Sequence, residues 1–246
     1  MPYNLKDSGV NLNYIAKDTP KIPHHRCTFN YKYQFLNRTK NIMSKSIYIL
    51  YLLIAIASMS CSPKQSKNIT NGTYISVIQE DVIKDKDGEE FIINISEGDK
   101  IYYLIRHAEK DTVPVDNPKL TEVGIERANF LANMMKGTRI DGIYSTMYTR
   151  TLFTIDSLAS RKGLKILPYK PSALKLLYET ISQDTTQSAV IVAGHSNTTP
   201  ALANVILGRQ EFTTGFDESD YDNILIVIDR KEEENTVYKL RFNSKM

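Results

Sequence analysis

The chain of 246 residues has two cysteines, Cys27 and Cys61, and none after residue 61. A disulfide framework for residues 62–246 is therefore excluded, as is a zinc site built on Cys-x-x-Cys or Cys/His spacing. The longest apolar run, IYILYLLIAIA at Ile47–Ala57, has 11 residues. As a helix it would cross only about half of a ~30 Å hydrocarbon core. A basic excess is missing as well. The net charge is +3, but residues 1–61 hold 8 Lys/Arg against 2 Asp/Glu, which leaves 23 against 26 in residues 62–246. That larger part lacks the electrostatic footprint of a nucleic-acid binder. Histidine is scarce: of four, His24 and His25 lie near the N-terminus, so imidazole chemistry in the remainder falls to His107 and His195. What is present, 41% hydrophobic residues and 24% charged ones, is the composition of a globular protein rather than a disordered one.

The basic excess at the N-terminus is where targeting signals reside. Lys45 precedes the short apolar run, Ser58-Met59-Ser60 follows it, and Cys61 comes next, before Ser62-Pro63 and the polar stretch KQSKNITNGT. This arrangement resembles a bacterial lipoprotein signal. The resemblance implies that Cys61 is lipidated and becomes the mature N-terminus; two or more acyl chains would give stable anchoring. The alternative is a buried core helix with an incidental cysteine. Residues 1–42 are too long to be part of such a signal, so Met43 is the expected start and 1–42 a spurious or disordered extension. The expected organisation is 43–61 signal peptide, 62–99 tether with a possible hairpin, and 100–246 the main domain. The hairpin expectation rests on YISVI and FIINI, which flank the turn pair Asp87-Gly88 between Tyr74 and Ile95.

From Lys100 onward, strand-like and helix-like segments alternate. Strands are predicted at Tyr102–Ile105, Ile140–Tyr144, Leu164–Leu167, Ala189–Ala193, Ile224–Ile228 and Val237–Phe242, the last two forming a hairpin. Helices are predicted from an N-cap at Thr121 to about Lys136, and at Thr149–Arg161, Ala173–Ile181 and Pro200–Leu207, with stops at Gly137, Gly163 and Gly208. AVIVA at Ala189–Ala193 is a continuous apolar run, as expected of a strand covered on both faces. This alternation predicts an α/β fold, a three-layer α/β/α sandwich with a mostly parallel central sheet. Ligands of such sheets bind beyond the C-terminal ends of the strands.

His107 and His195 both stand there. YYLI runs into Arg106-His107, and AVIVA runs into Gly194-His195. Parallel strands would bring both imidazoles to one edge. A metal could use two histidines with a third ligand such as Glu109 or Asp141, but the obligate cation Arg106 beside them opposes a second cation. Arginine suits an anion, because its planar fork matches phosphate. Arg150 falls in the first turn of the helix after the Ile140–Tyr144 strand, where the helix dipole mildly disfavours a cation, which points to an anionic partner.

Arg106-His107-Ala108-Glu109, the segment Leu120-Thr121-Glu122 with Gly124, Tyr144-Ser145 through Arg150, and Gly194-His195-Ser196 together resemble the four ordered motifs of the histidine phosphatase superfamily, the phosphoglycerate-mutase-like group, over about residues 100–230. Ala108 stands where many members have glycine. The resemblance implies His107 as nucleophile, a phosphohistidine intermediate, and Arg106, Arg150 and His195 around the phosphoryl oxygens. Neutral imidazole, the nucleophilic form, is well populated near neutral pH at an ordinary pKa of ~6.5. The scheme calls for no metal or organic cofactor. It also implies a proton donor after the third motif. Glu179, in Leu176-Leu177-Tyr178-Glu179, is the carboxylate in that stretch, with Asp116 as an alternative and Glu109 as the structural partner of an arginine.

The resulting expectation is a phosphatase acting on phosphomonoesters, anchored by lipid in the cell envelope on the periplasmic or outer-surface side. Its partners would be a phosphorylated small molecule and the membrane, with no nucleic acid. Two alternatives stand beside it: a protein phosphohistidine phosphatase, and a non-catalytic phospho-ligand-binding lipoprotein. A glycolytic mutase is less expected, because its substrates are cytosolic and the domain has no long inserts to enclose them.

Overall fold

The computed structural model describes residues 68–243. The expected extension 1–42, the signal 43–61 with Cys61, and the start of the tether lie outside the described residues. The first described elements are three short strands, β1 (Ile75–Gln79), β2 (Val82–Asp85) and β3 (Glu90–Ile92). The main sheet contains β4 (Lys100–Arg106), β5 (Gly142–Ser145), β6 (Ile166–Pro168), β7 (Ala189–Gly194), β8 (Asn223–Asp229) and β9 (Thr236–Arg241). The helices are α1 (Glu122–Met134), α2 (Thr149–Lys162), α3 (Leu174–Gln183) and α4 (Thr198–Leu207).

Sheet order is β6-β5-β7-β4-β8-β9. β6, β5, β7 and β4 pair in parallel, and only β8 runs against the rest. Successive residues of the strands divide between two cores, as the period of two requires. Tyr103, Ile105, Ile191 and Ile226 join Leu131 and Met135, from α1 and its C-cap, and Ile155 and Leu158 of α2 on one face. Tyr102, Leu104, Val190 and Leu225 join Leu177 and Ile181 of α3 and Leu202 and Ile206 of α4 on the other. The result is the three-layer α/β/α sandwich with a mostly parallel sheet. β7, buried at every position, sits between β5 and β4.

Helix ends follow the local chemistry. Thr121 caps α1, its hydroxyl accepting from Gly124 N–H at 3.1 Å. Gly163 and Gly208 end α2 and α4 at φ +66° and +67°, the left-handed region open to glycine. The N-terminal segment differs from the expected single hairpin. Asp87-Gly88 turns β2 into β3, while β1 reaches β2 through a separate turn at Glu80-Asp81. β2, VIKD, offers only two apolar residues, too few to register as a strand in the sequence. Nor is this segment peripheral. Ile75, Ile78 and Ile83 are fully buried in the core cluster that also contains Tyr103 and Leu131. Gly72 N–H donates to Lys239 O at 2.7 Å and Arg241 N–H to Thr73 O at 2.9 Å, so the chain already docks on β9 where a free tether was expected.

Candidate active site

β4 and β7 pair in register, Ile105 with Ala193 and Arg106 with Gly194. The chain therefore leaves both strands at one level, and His107 N–H donates to Gly194 O at 3.0 Å. The two imidazoles meet edge to face, with ring centroids 5.5 Å apart. Gly194 makes this turn possible: a Cβ there would lie 2.9 Å from both Thr198 Oγ1 and Tyr169 Oη. Thr198 Oγ1 in turn accepts from His195 N–H at 2.9 Å and fixes the start of α4.

His107 is buried, and its Nδ1 lies 2.8 Å from Ala108 O. A carbonyl can only accept, so Nδ1 carries the proton and Nε2 keeps its lone pair. Burial holds His107 down to about pKa 3, the charges of Arg106, Arg150 and His195 adding to it against the pull of the Ala108 carbonyl. Burial, Arg150 and Arg106 hold His195 down to about 4, opposed by Glu218. Both rings are neutral at neutral pH. His195 Nε2 lies 3.1 Å from Thr146 Oγ1, and Tyr148 packs edge-on to the ring with centroids 5.2 Å apart.

Arg106 is almost wholly buried. Its Nη1 donates to Asp217 O at 2.9 Å and Asp220 O at 3.1 Å, its Nη2 to Glu218 Oε2 at 2.6 Å, and its guanidinium lies 4.2 Å from the Tyr221 ring centroid. Arg150, the second residue of α2, lies 4.4 Å from the Tyr148 ring centroid. Burial lowers its pKa, Arg106 contributing and Tyr148 opposing. The Nε atoms of both arginines are buried and find no acceptor. A buried donor without a partner costs about 1–3 kcal/mol, so the pair is poised to receive an anion. The arrangement can hold a tetrahedral oxyanion beside an unprotonated Nε2.

Residues 102–171 match the histidine phosphatase superfamily, branch 1. The match supports a phosphatase- or mutase-type enzyme. It spans Arg106, His107 and Arg150 but stops before His195, which geometry alone brings to the same site. No curated protein matches the chain. Solved structures similar to it include one named as the phosphohistidine phosphatase SixA from Agrobacterium tumefaciens (20% identity over 56% of this chain and 94% of that one, TM-score 0.43). Others are a phosphoserine phosphatase mutant from Entamoeba histolytica (17%, 56% and 94%, 0.43) and a phosphoglycerate mutase from Bacillus anthracis (12%, 57% and 92%, 0.45).

Of the predicted site residues, His107, Arg106, Arg150 and His195 come together. Glu179 does not join them: it lies on α3 and faces Lys175, four residues earlier, at 3.8 Å, with its side chain 46% exposed. Helical spacing pairs it along its own helix, which the Leu-Leu-Tyr-Glu string could not reveal. Asp116 is exposed on the loop before α1. Asp141 accepts from Ser188 and Ala189 N–H where β7 begins, the opposite end of that strand from the histidines. Glu109 is the partner of an arginine, accepting from Arg127 Nε at 2.9 Å and Nη2 at 2.7 Å. Gly124 permits that approach, since a Cβ there would lie 2.2 Å from Glu109 O.

Glu218 and Tyr221 are additions that the sequence did not reveal, and Ser196, read there only as part of a motif, gains a contact. Glu218 Oε1 accepts from the Ser196 hydroxyl while Oε2 takes Arg106, so one carboxylate bridges two groups of the site. Its loop is anchored from behind. Arg241 holds the Asp220 carboxylate through two hydrogen bonds of 3.0 and 2.9 Å, and Arg127 pairs with Asp222 at 2.7 Å. A loop of this kind has no hydrophobic period to betray it.

Proposed function

We propose that the protein is a phosphatase that hydrolyses phosphomonoesters through a phosphohistidine formed on His107. The observation that carries this reading is the pairing of a free His107 Nε2 lone pair with two arginines whose buried Nε–H groups lack acceptors. In the first step Nε2 attacks phosphorus, the P–N bond forms, and the P–O bond breaks, the leaving oxygen departing with the bonding electrons and taking a proton from water. In the second, water attacks phosphorus, the P–N bond breaks, and the water proton leaves with the products as phosphate is released. Arg106, Arg150 and His195 stabilise the charge on the equatorial oxygens, the main catalytic contribution in phosphoryl transfer. Nothing in this scheme needs His107 to be charged before attack, in keeping with its depressed pKa. Replacing His107 with alanine should abolish phosphate release from p-nitrophenyl phosphate, and unchanged turnover would refute the assignment.

A protein phosphohistidine is a second substrate class, favoured by the position of Glu179 away from the site. A phosphoimidazole protonated on its distal nitrogen departs as neutral imidazole and needs no carboxyl donor. Comparing p-nitrophenyl phosphate, alkyl phosphates and a phosphohistidine peptide separates the two.

The reading further places the enzyme on a membrane in the cell envelope, through lipid on Cys61. The support is the Lys45, apolar-run and cysteine pattern of the sequence. Cys61→Ser should move the protein from the membrane fraction to the soluble one; an unaltered distribution would count against the anchor.

A further inference from the structure

Beside the phosphate site lies a groove that the chemistry above does not use. Met147, Pro168, Tyr169, Ala173, Leu176 and Leu177 line a space of about 490 Å³ between the C-terminal ends of β5 and β6 and the start of α3. That volume lies within the range of small-molecule sites, roughly 300–1,000 Å³. Met147 and Leu176 are 66% and 63% exposed, so two large apolar side chains stand open to water at one place.

The groove offers little to a polar guest. Its three hydroxyl groups already donate within the protein: Tyr144 to Gln187 Oε1 at 3.0 Å, Tyr169 to Ala193 O at 3.2 Å and Thr180 to Leu176 O at 2.7 Å. Lys170 is the one charged residue in the lining, and no acid is present. A sugar or polyol placed here would lose hydrogen bonds to water and regain few, whereas an apolar group would lose none.

Two residues of the groove lining connect it to the site. Met147 precedes Tyr148, whose ring packs against His195 and beneath Arg150. Tyr169, on the groove's wall, bonds the carbonyl of Ala193, two residues before His195. An ester whose phosphoryl group meets the unpartnered Nε–H groups of Arg106 and Arg150 would have Tyr148, and then Met147, on its way to the groove.

We infer that this groove is the subsite for the substrate's organic group, and that the group is apolar: an aryl or short-chain alkyl phosphate rather than a sugar phosphate. The inference rests on the phosphatase reading and gives it a substrate class.

The test compares kcat/KM for phenyl phosphate, 4-butylphenyl phosphate and 4-(2,3-dihydroxypropyl)phenyl phosphate, whose phenols have similar leaving ability. The full chain should prefer the butyl compound over phenyl phosphate by at least tenfold, with no gain for the dihydroxy compound. Leu176→Lys and Met147→Lys, both at exposed positions, should each reduce the butyl-to-phenyl ratio at least fivefold. Equal kcat/KM across the three esters, or a ratio unmoved by both substitutions, would overturn the inference while leaving the phosphatase reading intact. Hydrolysis of none of the three, with no phosphorylated His107, would overturn both.

Discussion

Glu218 sets a carboxylate against Arg106, where the proposed mechanism puts the substrate's phosphate, so removing it should tighten phosphate binding. Its Oε2 lies 2.6 Å from Arg106 Nη2, and its Oε1 takes the Ser196 hydroxyl. An incoming phosphate has to take over at least the Arg106 contact. How much this competition costs follows from exposure. The Arg106 side chain is 1% exposed but that of Glu218 is 77% exposed, so water largely screens the pair. Such half-exposed pairs contribute up to about 1 kcal/mol. Glu218→Ala should therefore strengthen inhibition by inorganic phosphate up to about fivefold, since 1.4 kcal/mol corresponds to tenfold. The difference should shrink as salt rises, because the competing charge is exposed. Inhibition constants for phosphate at low and high salt, compared between wild type and Glu218→Ala, are the assay. An unchanged constant, or weaker inhibition in the variant, would show that the carboxylate does not compete with the ligand and would refute the placement of the anion beside Arg106.

Other consequences are more local. Arg127 is 5% exposed and joins Glu109, Asp222 and the Phe242 carbonyl. Arg127→Leu leaves two largely buried carboxylates without their shared cation and should cost about 3 kcal/mol in urea unfolding, with Tm roughly 6–12 °C lower. A loss under about 1 kcal/mol would contradict that account. The two active-site imidazoles have folded pKa values of about 3 and about 4, below the unfolded ~6.5. The unfolded chain then binds more protons, so stability is present above pH ~6.5 and falls, by on the order of a few kcal/mol, as pH drops toward 3. His107→Ala and His195→Ala should flatten that decline. In NMR titrations both rings should stay neutral well below pH 6 and titrate higher once phosphate is bound, because a neighbouring anion favours the charged imidazole.

The architecture was legible where the hydrophobic pattern had one interpretation. AVIVA could only be a strand covered on both faces, and Thr121, Gly163 and Gly208 marked helix ends by their own chemistry. That Arg106, His107, Arg150 and His195 meet was legible because each sits at the end of a strand or in the first turn of a helix, so local pattern fixes their level in the sheet. What the sequence could not reveal depends on contacts distant along the chain. β2 was too short and too polar to stand out, and it became a strand by pairing on both sides. Glu179 fell in the right stretch, but helical spacing put it opposite Lys175. Glu218 reaches Arg106 across 112 residues through a loop held by Arg241 and Arg127, and no local signal encodes that span.

In the proposed mechanism His107 Nε2 becomes phosphorylated. The most direct measurement is rapid quench of the protein with a ³²P-labelled aryl phosphate, followed by acid and base treatment and peptide mapping. Label is expected on the peptide containing His107, stable in base, lost in acid, and absent in His107→Ala. Label on another residue, or equal label in His107→Ala, would contradict it.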